Sequence, residues 1–249
     1  LPTAPAARAG RRPRPRRPLP ALPDRHRRPF RPRFGSQWQS LWTTPHPRSS
    51  ITMNRTLAIH NPHGSLHGHL ELPENPKGLI LLARAHHAPV DAIITANLAA
   101  RGYAILSMEL LTLQEAQFAD ATQNVPRLSQ RLLDILDLIH HDGDIQELPL
   151  AIFASGDTTP AAIRAAAQRD TQVKVVAGHG GIIDRAGLQG LKLLAAPLSM
   201  LFDADDSIGQ IAYQRAASYL NCIHEMHVLN PGEDPVLRVA AWFSLHLGR

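Results

Sequence analysis

From residue 65 onward the chain alternates two kinds of hydrophobic pattern. In "SLHGHLEL" (65–72), Leu66, Leu70 and Leu72 recur at a period of two on one face, as in a strand buried on one side. "GLILLA" (78–83), "YAILSM" (103–108), "LPLAIFA" (148–154), "VKVVAG" (173–178) and "APLSMLFD" (196–203) are short and largely apolar. Strands covered on both faces of a parallel sheet have that composition. "HEMHVLN" (224–230) is more polar and reads as an edge strand. Between these runs the period changes to that of a helix. "DAIITANLAAR" (91–101) suits a helix closed by Gly102. "VPRLSQRLLDILDLIHH" (125–141) places Val125, Leu128, Leu132, Ile135 and Ile139 on one stripe. Pro160 opens a further helix in its first turn. "IGQIAYQRAASYL" (208–220) is helical, and "PVLRVAAWFSLHL" (235–247) carries a stripe of Val236, Val239, Phe243 and Leu247. Strands that alternate with helices predict an α/β fold: a mostly parallel twisted sheet with helices on both faces, in a single domain without internal repeats.

Composition divides the chain. Residues 1–52 hold 12 Arg, no Lys, one acid (Asp24) and 11 of the 21 prolines. The remaining residues carry 14 basic and 20 acidic groups, so the net charge of +5 belongs to the leader and the body is mildly acidic. "RRPRPRRPLP" cannot form a helix and has too little apolar surface to offset the entropy of ordering, so disorder is expected over 1–52 and a folded domain over 53–249. Three readings of the leader compete: a tail for nucleic acid or an acidic partner, an organelle transit peptide, and an over-extended reading frame whose natural start is Met53. The last is favoured, because patterned sequence begins there.

The single cysteine, Cys222, excludes an intramolecular disulfide, and no run of eighteen apolar residues suggests a membrane span. A cytoplasmic location is expected, with no nucleic-acid or membrane partner for the body. No phosphate-cradling glycine loop follows a strand, which argues against a nucleotide enzyme. What remains is "AIFASGDTTPAAIRAAA" (151–167), a strand, a corner of small residues and an Ala-rich helix. A hydrolase nucleophile sits on such a corner, but the G-x-S-x-G pattern is missing.

From about Leu66 onward the body resembles the dienelactone hydrolase-like branch of the α/β-hydrolase superfamily. The stretches that carry the resemblance are "LHGHLELPENPKGLILLA", "LAARGYAILSMELLT", "LPLAIFASGDTTPAAIRAAA", "VKVVAGHGG", "APLSMLFDADD" and "VAAWFSLHL", in the family's order and spacing. The resemblance implies ester, lactone or thioester hydrolysis by a nucleophile, a histidine and an acid. It also implies a small ester-like ligand and neither cofactor nor metal.

The departures cluster at the implied site. Aligning "AIRAAA" without a gap puts Gly156 at the nucleophile position, flanked two away by Ala154 and Thr158. Gly156 adopts the strained corner at no steric cost but carries no oxygen. A register slip would make Ser155 the nucleophile, with Phe153 and Asp157 as its neighbours two away. Asp157 is a carboxylate alternative, and Ser155, Asp157 and Thr159 are also candidate helix caps. The resemblance assigns the acid to Asp205, leaving Asp203 and Asp206 to solvent, capping or a metal.

The family's loop histidine has no counterpart in "LNPGEDPVLRVAAWF", where Pro235 falls near its place, and His224 and His227 precede the turn. The family's oxyanion His-Gly is Arg84-Ala85, followed by His86 and His87. His60, His63, His67 and His69 cluster on a hairpin with two candidate zinc ligands, His67 and His69, on one face. His140 and His141 suit a helix C-terminus.

Losing the nucleophile or the base of a serine hydrolase costs on the order of 10⁶ in turnover. The chain is therefore expected to be catalytically impaired or non-enzymatic, with a binding or regulatory role. The alternative is an active hydrolase that uses Ser155 and Asp205 with a displaced histidine, His86, His87 or His179. Deleting residues 1–52 is expected to leave the melting temperature unchanged. A fall of several degrees would show that the leader packs on the body.

Overall fold

The structure, a computed structural model, describes residues 51–61, 64–86, 88–118 and 120–247. The expected leader lies outside the described residues except at its end. There the first strand, β1, runs Ile51–Asn61, so the boundary expected at Met53 falls inside a strand. β2 (Gly64–Pro73) returns antiparallel to it. The chain then alternates: β3 (Leu79–Arg84), α1 (Pro89–Ala99), β4 (Ala104–Glu109), α2 (Val125–His141), β5 (Leu150–Ser155), α3 (Thr159–Gln168) and β6 (Val173–His179). It closes with α4 (Gly187–Leu193), β7 (Leu198–Asp203), α5 (Ser207–Ala217), β8 (His224–Leu229) and α6 (Pro235–Leu247).

The strands form one eight-stranded sheet in the order β1-β2-β4-β3-β5-β6-β7-β8. β2 is antiparallel to both its neighbours, and every pairing from β4 to β8 is parallel. The apolar runs are explained by this burial. Every residue of β3 is buried, and its alternate side chains feed two cores. Leu79, Leu81 and Ala83 belong to the core that also holds buried residues of α2, α3, α4 and α5. Ile80 and Leu82 belong to the other, with buried residues of α1 and α6. β8 is the edge strand the sequence predicts, and Gly102 ends the α1 turn with φ +88°.

The sequence pattern did not anticipate α4, which is seven residues long, begins on one glycine, contains another and buries only Leu191. Among the described residues no helix is long and apolar enough to cross a membrane.

The order of connections positions the functional end. From β3 the chain crosses to β4 on one side, and from β4 it crosses to β5 on the other. In sheets of this kind, ligands bind at the carboxyl ends of the strands where that reversal opens a crevice.

The loop from β4 to α2, which borders this end, is clamped by Glu115. Its carboxylate takes two bonds from Arg131 (both 2.7 Å) and two from the Thr112 amide and hydroxyl (both 3.0 Å). Arg131, 5% exposed, also donates to the Leu110 carbonyl. These donors, Arg131 first, hold the Glu115 carboxyl at about 2, below its ordinary 4.5. Glu115→Gln should cost about 1.5–3 kcal/mol at neutral pH, the usual worth of bonds to a charged group. A carboxyl lowered on folding stabilises the native state above 4.5, and loses that contribution as pH falls toward about 2. Denaturant melts of the wild type and this variant should therefore converge as the pH is lowered; a constant gap would contradict the clamp.

Candidate functional site

β5 runs extended to Ser155 (φ −141°, ψ 146°), and Gly156 then turns the chain with φ +55°. A short 3₁₀ turn, Gly156–Thr158, leads into α3. Two buried threonines fasten this corner. The Thr158 hydroxyl lies 2.9 Å from the carbonyls of both Ala83 and Ser155, which share its single proton, and accepts from the Ser155 amide (3.2 Å). Thr159 donates to the Gly180 carbonyl at 3.0 Å. The end of β6 presses against the other side. A Cβ on Gly181 would stand 2.2 Å from the Gly156 carbonyl oxygen, and one on Gly178 would stand 2.7 Å from a Thr159 methyl. By contrast, a Cβ on Gly156 would meet nothing within 4 Å. The corner therefore has the backbone and the open space of a nucleophile elbow without a side chain.

Ser155 is half-buried on the last position of β5. Among the described residues no hydrogen bond joins its hydroxyl to a histidine. Asp157 accepts from the Thr122 hydroxyl at 2.6 Å and lies 3.9 Å from the Arg185 guanidinium. It ties the corner to the neighbouring loop and does not cap α3, since the hydroxyl that serves the turn is that of Thr158.

The three acids at the end of β7 have separate roles. Asp203, the last residue of the strand, brings Oδ1 within 3.2 Å of His179 Nε2. Asp206 caps α5 by accepting from the Gly209 amide at 2.9 Å. Asp205, the acid the resemblance implies, is exposed in the turn between them, where its carbonyl accepts from the Ser207 amide. The contact between His179 and Asp203 is the feature sequence reasoning missed. The signal for it was the parallel strand pair β6–β7: His179 is paired with Leu201, and Asp203 lies two residues on, on the same face.

The β8–α6 connection is closed by Glu233. It accepts from Arg238 (2.7 Å), His227 (3.0 Å) and the amide and side chain of Asn230 (3.1 and 3.0 Å). Arg238 foremost, these donors hold the Glu233 carboxyl down at about 2. His224 bonds the Tyr213 hydroxyl at 2.8 Å.

Arg84, the last residue of β3, is buried, and with Asp91 it forms part of the wall of a cleft beside α1. Its Nε donates to Asp91 at 2.7 Å, its guanidinium lies 4.8 Å above the Phe153 ring, and Asp91 also accepts from the Ala88 amide at 2.8 Å. His86 is exposed, and His87 lies outside the described residues.

His67 and His69 line a cleft of about 410 Å³ between β2, β4 and α1, while His60 bonds Ser65. Among the described residues no three His, Cys, Asp or Glu side chains are grouped to hold a metal, and His63 lies outside them. His140 and His141 end α2, as expected.

No protein-family model matches the chain. Two strains of Mycobacterium tuberculosis have a protein, provisionally named a phosphoribosyl transferase, that is 28% identical over 195 residues. That match covers 72% of this chain, but the chain spans only 44% of the length of those relatives. Among solved structures, a dienelactone hydrolase from Anabaena variabilis superposes with a TM-score of 0.70 at 23% identity, covering 78% of this chain and 98% of its own. A cold-adapted esterase from an Arctic intertidal metagenomic library gives 0.61 at 13% identity over 78% and 94% of the two chains. An acetyl xylan esterase from Paenibacillus gives 0.55 at 11% identity over 77% and 87%. The chain has the α/β-hydrolase fold of these proteins.

The corner geometry separates two glycines. Gly156→Ala or Gly156→Val should destabilise by about 1–3 kcal/mol, the cost of a side chain in a left-handed backbone. Gly181→Ala should cost more, since its φ is +103° and its Cβ would also collide with the Gly156 carbonyl. Equal melting temperatures for the Gly156→Ala and Gly181→Ala proteins would contradict this packing.

Proposed function

We propose that this chain is a catalytically impaired protein of dienelactone hydrolase-like type. It binds a small ester- or lactone-like ligand at the carboxyl end of its sheet without forming a covalent intermediate. One observation supports the reading: at the strand-to-helix turn where a hydrolase of this fold carries its nucleophile stands Gly156, with φ +55° and open space where a side chain would project. A second supports it. The loop that would bring a histidine over that corner is drawn closed on Glu233. Without a nucleophile, the acceleration left to a binding site is about 10³–10⁴ over water, against the order of 10⁶ that the triad adds.

The phosphoribosyl transferase name of the mycobacterial relatives is not carried over, because more than half of their length lies outside the match. A second reading is favoured by one feature. Ser155 and His179 are direct partners across β5 and β6, so an active hydrolase would use Ser155 with that displaced histidine.

A fluorophosphonate probe separates the two readings, since it labels only a serine oxygen activated by a base. The expected result is no labelling, together with a hydrolysis rate on p-nitrophenyl acetate that Ser155→Ala and Asp205→Asn leave unchanged. Stoichiometric labelling of Ser155, abolished by His179→Gln, would establish the active hydrolase instead.

A further inference from the structure

We infer that His179 and Asp203 form a latent proton-transfer pair serving position 156, so that the corner lacks an attacking oxygen but not a base. The inference rests on the reading of Gly156 as the emptied nucleophile position, and goes beyond it by assigning the base to β6 rather than to the β8–α6 loop.

Strand register supplies the first argument. β5, β6 and β7 are adjacent and parallel, with Ser155 opposite His179 and His179 opposite Leu201. Residues paired across parallel strands share a face, and so do residues two apart on one strand. Ser155, His179 and Asp203 therefore stand in a row on one face at the carboxyl end of the sheet, in the order strand end, base, acid. Gly156 is the next residue after Ser155.

Packing supplies the second argument. His179 is followed directly by Gly180 and Gly181, which have φ +68° and +103°. Gly181 is so close to Gly156 that a Cβ would come within 2.2 Å of its carbonyl oxygen, and Thr159 bonds the Gly180 carbonyl at 3.0 Å. The segment bearing the histidine is thus fastened to the segment bearing the corner on both sides of Gly156.

Chemistry supplies the third. His179 Nε2 is engaged by the Asp203 carboxylate at 3.2 Å, which fixes the ring and leaves Nδ1 as the nitrogen to receive a proton. A carboxylate on one imidazole nitrogen and a nucleophile on the other is the arrangement by which a triad histidine is oriented and its charged form stabilised. Side-chain exposure of 27% for His179 and 63% for Asp203 keeps the pair reachable from solvent. Asp205, two residues beyond Asp203, makes no such contact with a histidine among the described residues.

Gly156→Ser tests the pair by returning the missing hydroxyl to the open side of the corner. In the labelled reaction, the introduced oxygen bonds to the phosphorus of a fluorophosphonate, fluoride leaves, and the hydroxyl proton passes to His179 Nδ1. The full-length Gly156→Ser protein is expected to become labelled, where the wild type is not. Adding His179→Gln should slow that labelling by about a hundredfold, the low end of a general base's contribution. Adding Asp203→Asn should slow it less.

Gly156→Cys gives a second readout that does not need an acylatable serine. Its alkylation by iodoacetamide, in which sulfur displaces iodide and the thiol proton goes to His179, should be faster than that of Cys222 and should slow with His179→Gln. Melting temperatures confirm that each variant is folded. A folded Gly156→Ser that stays unlabelled while Gly156→Cys alkylates no faster than Cys222 would overturn the pairing. So would labelling that persists undiminished in Gly156→Ser/His179→Gln. Labelling of the wild type at Ser155 is a different outcome, and overturns the proposed function instead.

Discussion

The left-handed turn at Gly156 is the constraint around which this end of the molecule is built. A buried strand must stop and a helix must start within three residues, in a space where β3, β5 and β6 already crowd together. Thr158 holds the turn to the Ala83 carbonyl of β3, and Thr159 holds it to the Gly180 carbonyl beyond β6. Gly178 and Gly181 are required because any Cβ there would overlap Thr159 or the corner itself. This packing keeps a backbone whose steric cost is repaid, in a hydrolase, by presenting a nucleophile. Here a glycine, which has no side chain to present, stands at the turn.

The charged groups nearby have been drawn into structural work. Arg84, at the end of β3, forms a buried ion pair with Asp91 that also caps α1 and packs on Phe153. Such a pair adds little net stability over apolar residues, but breaking one partner costs about 3–5 kcal/mol. The region is therefore committed to holding β3 against α1. Glu233 likewise gathers His227, Asn230 and Arg238 into one tight turn, and Asp157 is engaged with Thr122 and Arg185. Against this background, the contact between His179 and Asp203 stands apart, since it fastens no loop and caps no helix.

Most of the fold was legible in the sequence because its elements are strongly periodic. The stripe on α2 and the uniformly apolar runs of β3 and β5 follow directly from which faces are buried. What escaped was short or non-local. α4 has two glycines and one buried leucine, too little pattern to register, and the start of β1 at Ile51 lay beyond the composition boundary at Met53. At the site, the glycine corner was readable because strand, small residues and helix are contiguous. The acid was not. Asp203 and Asp205 are indistinguishable in "LFDADD", and only the register of β6 on β7 puts the first of them beside His179.

The claim on which the account turns is that no side chain at the corner forms a covalent bond to an ester substrate. Acid-quenched intact-mass measurement during incubation with p-nitrophenyl acetate tests it most directly, with peptide mapping of any adduct. The account predicts that Ser155 stays unmodified throughout, with no adduct that forms and decays with turnover. A stoichiometric acetyl group on Ser155 during turnover would contradict it.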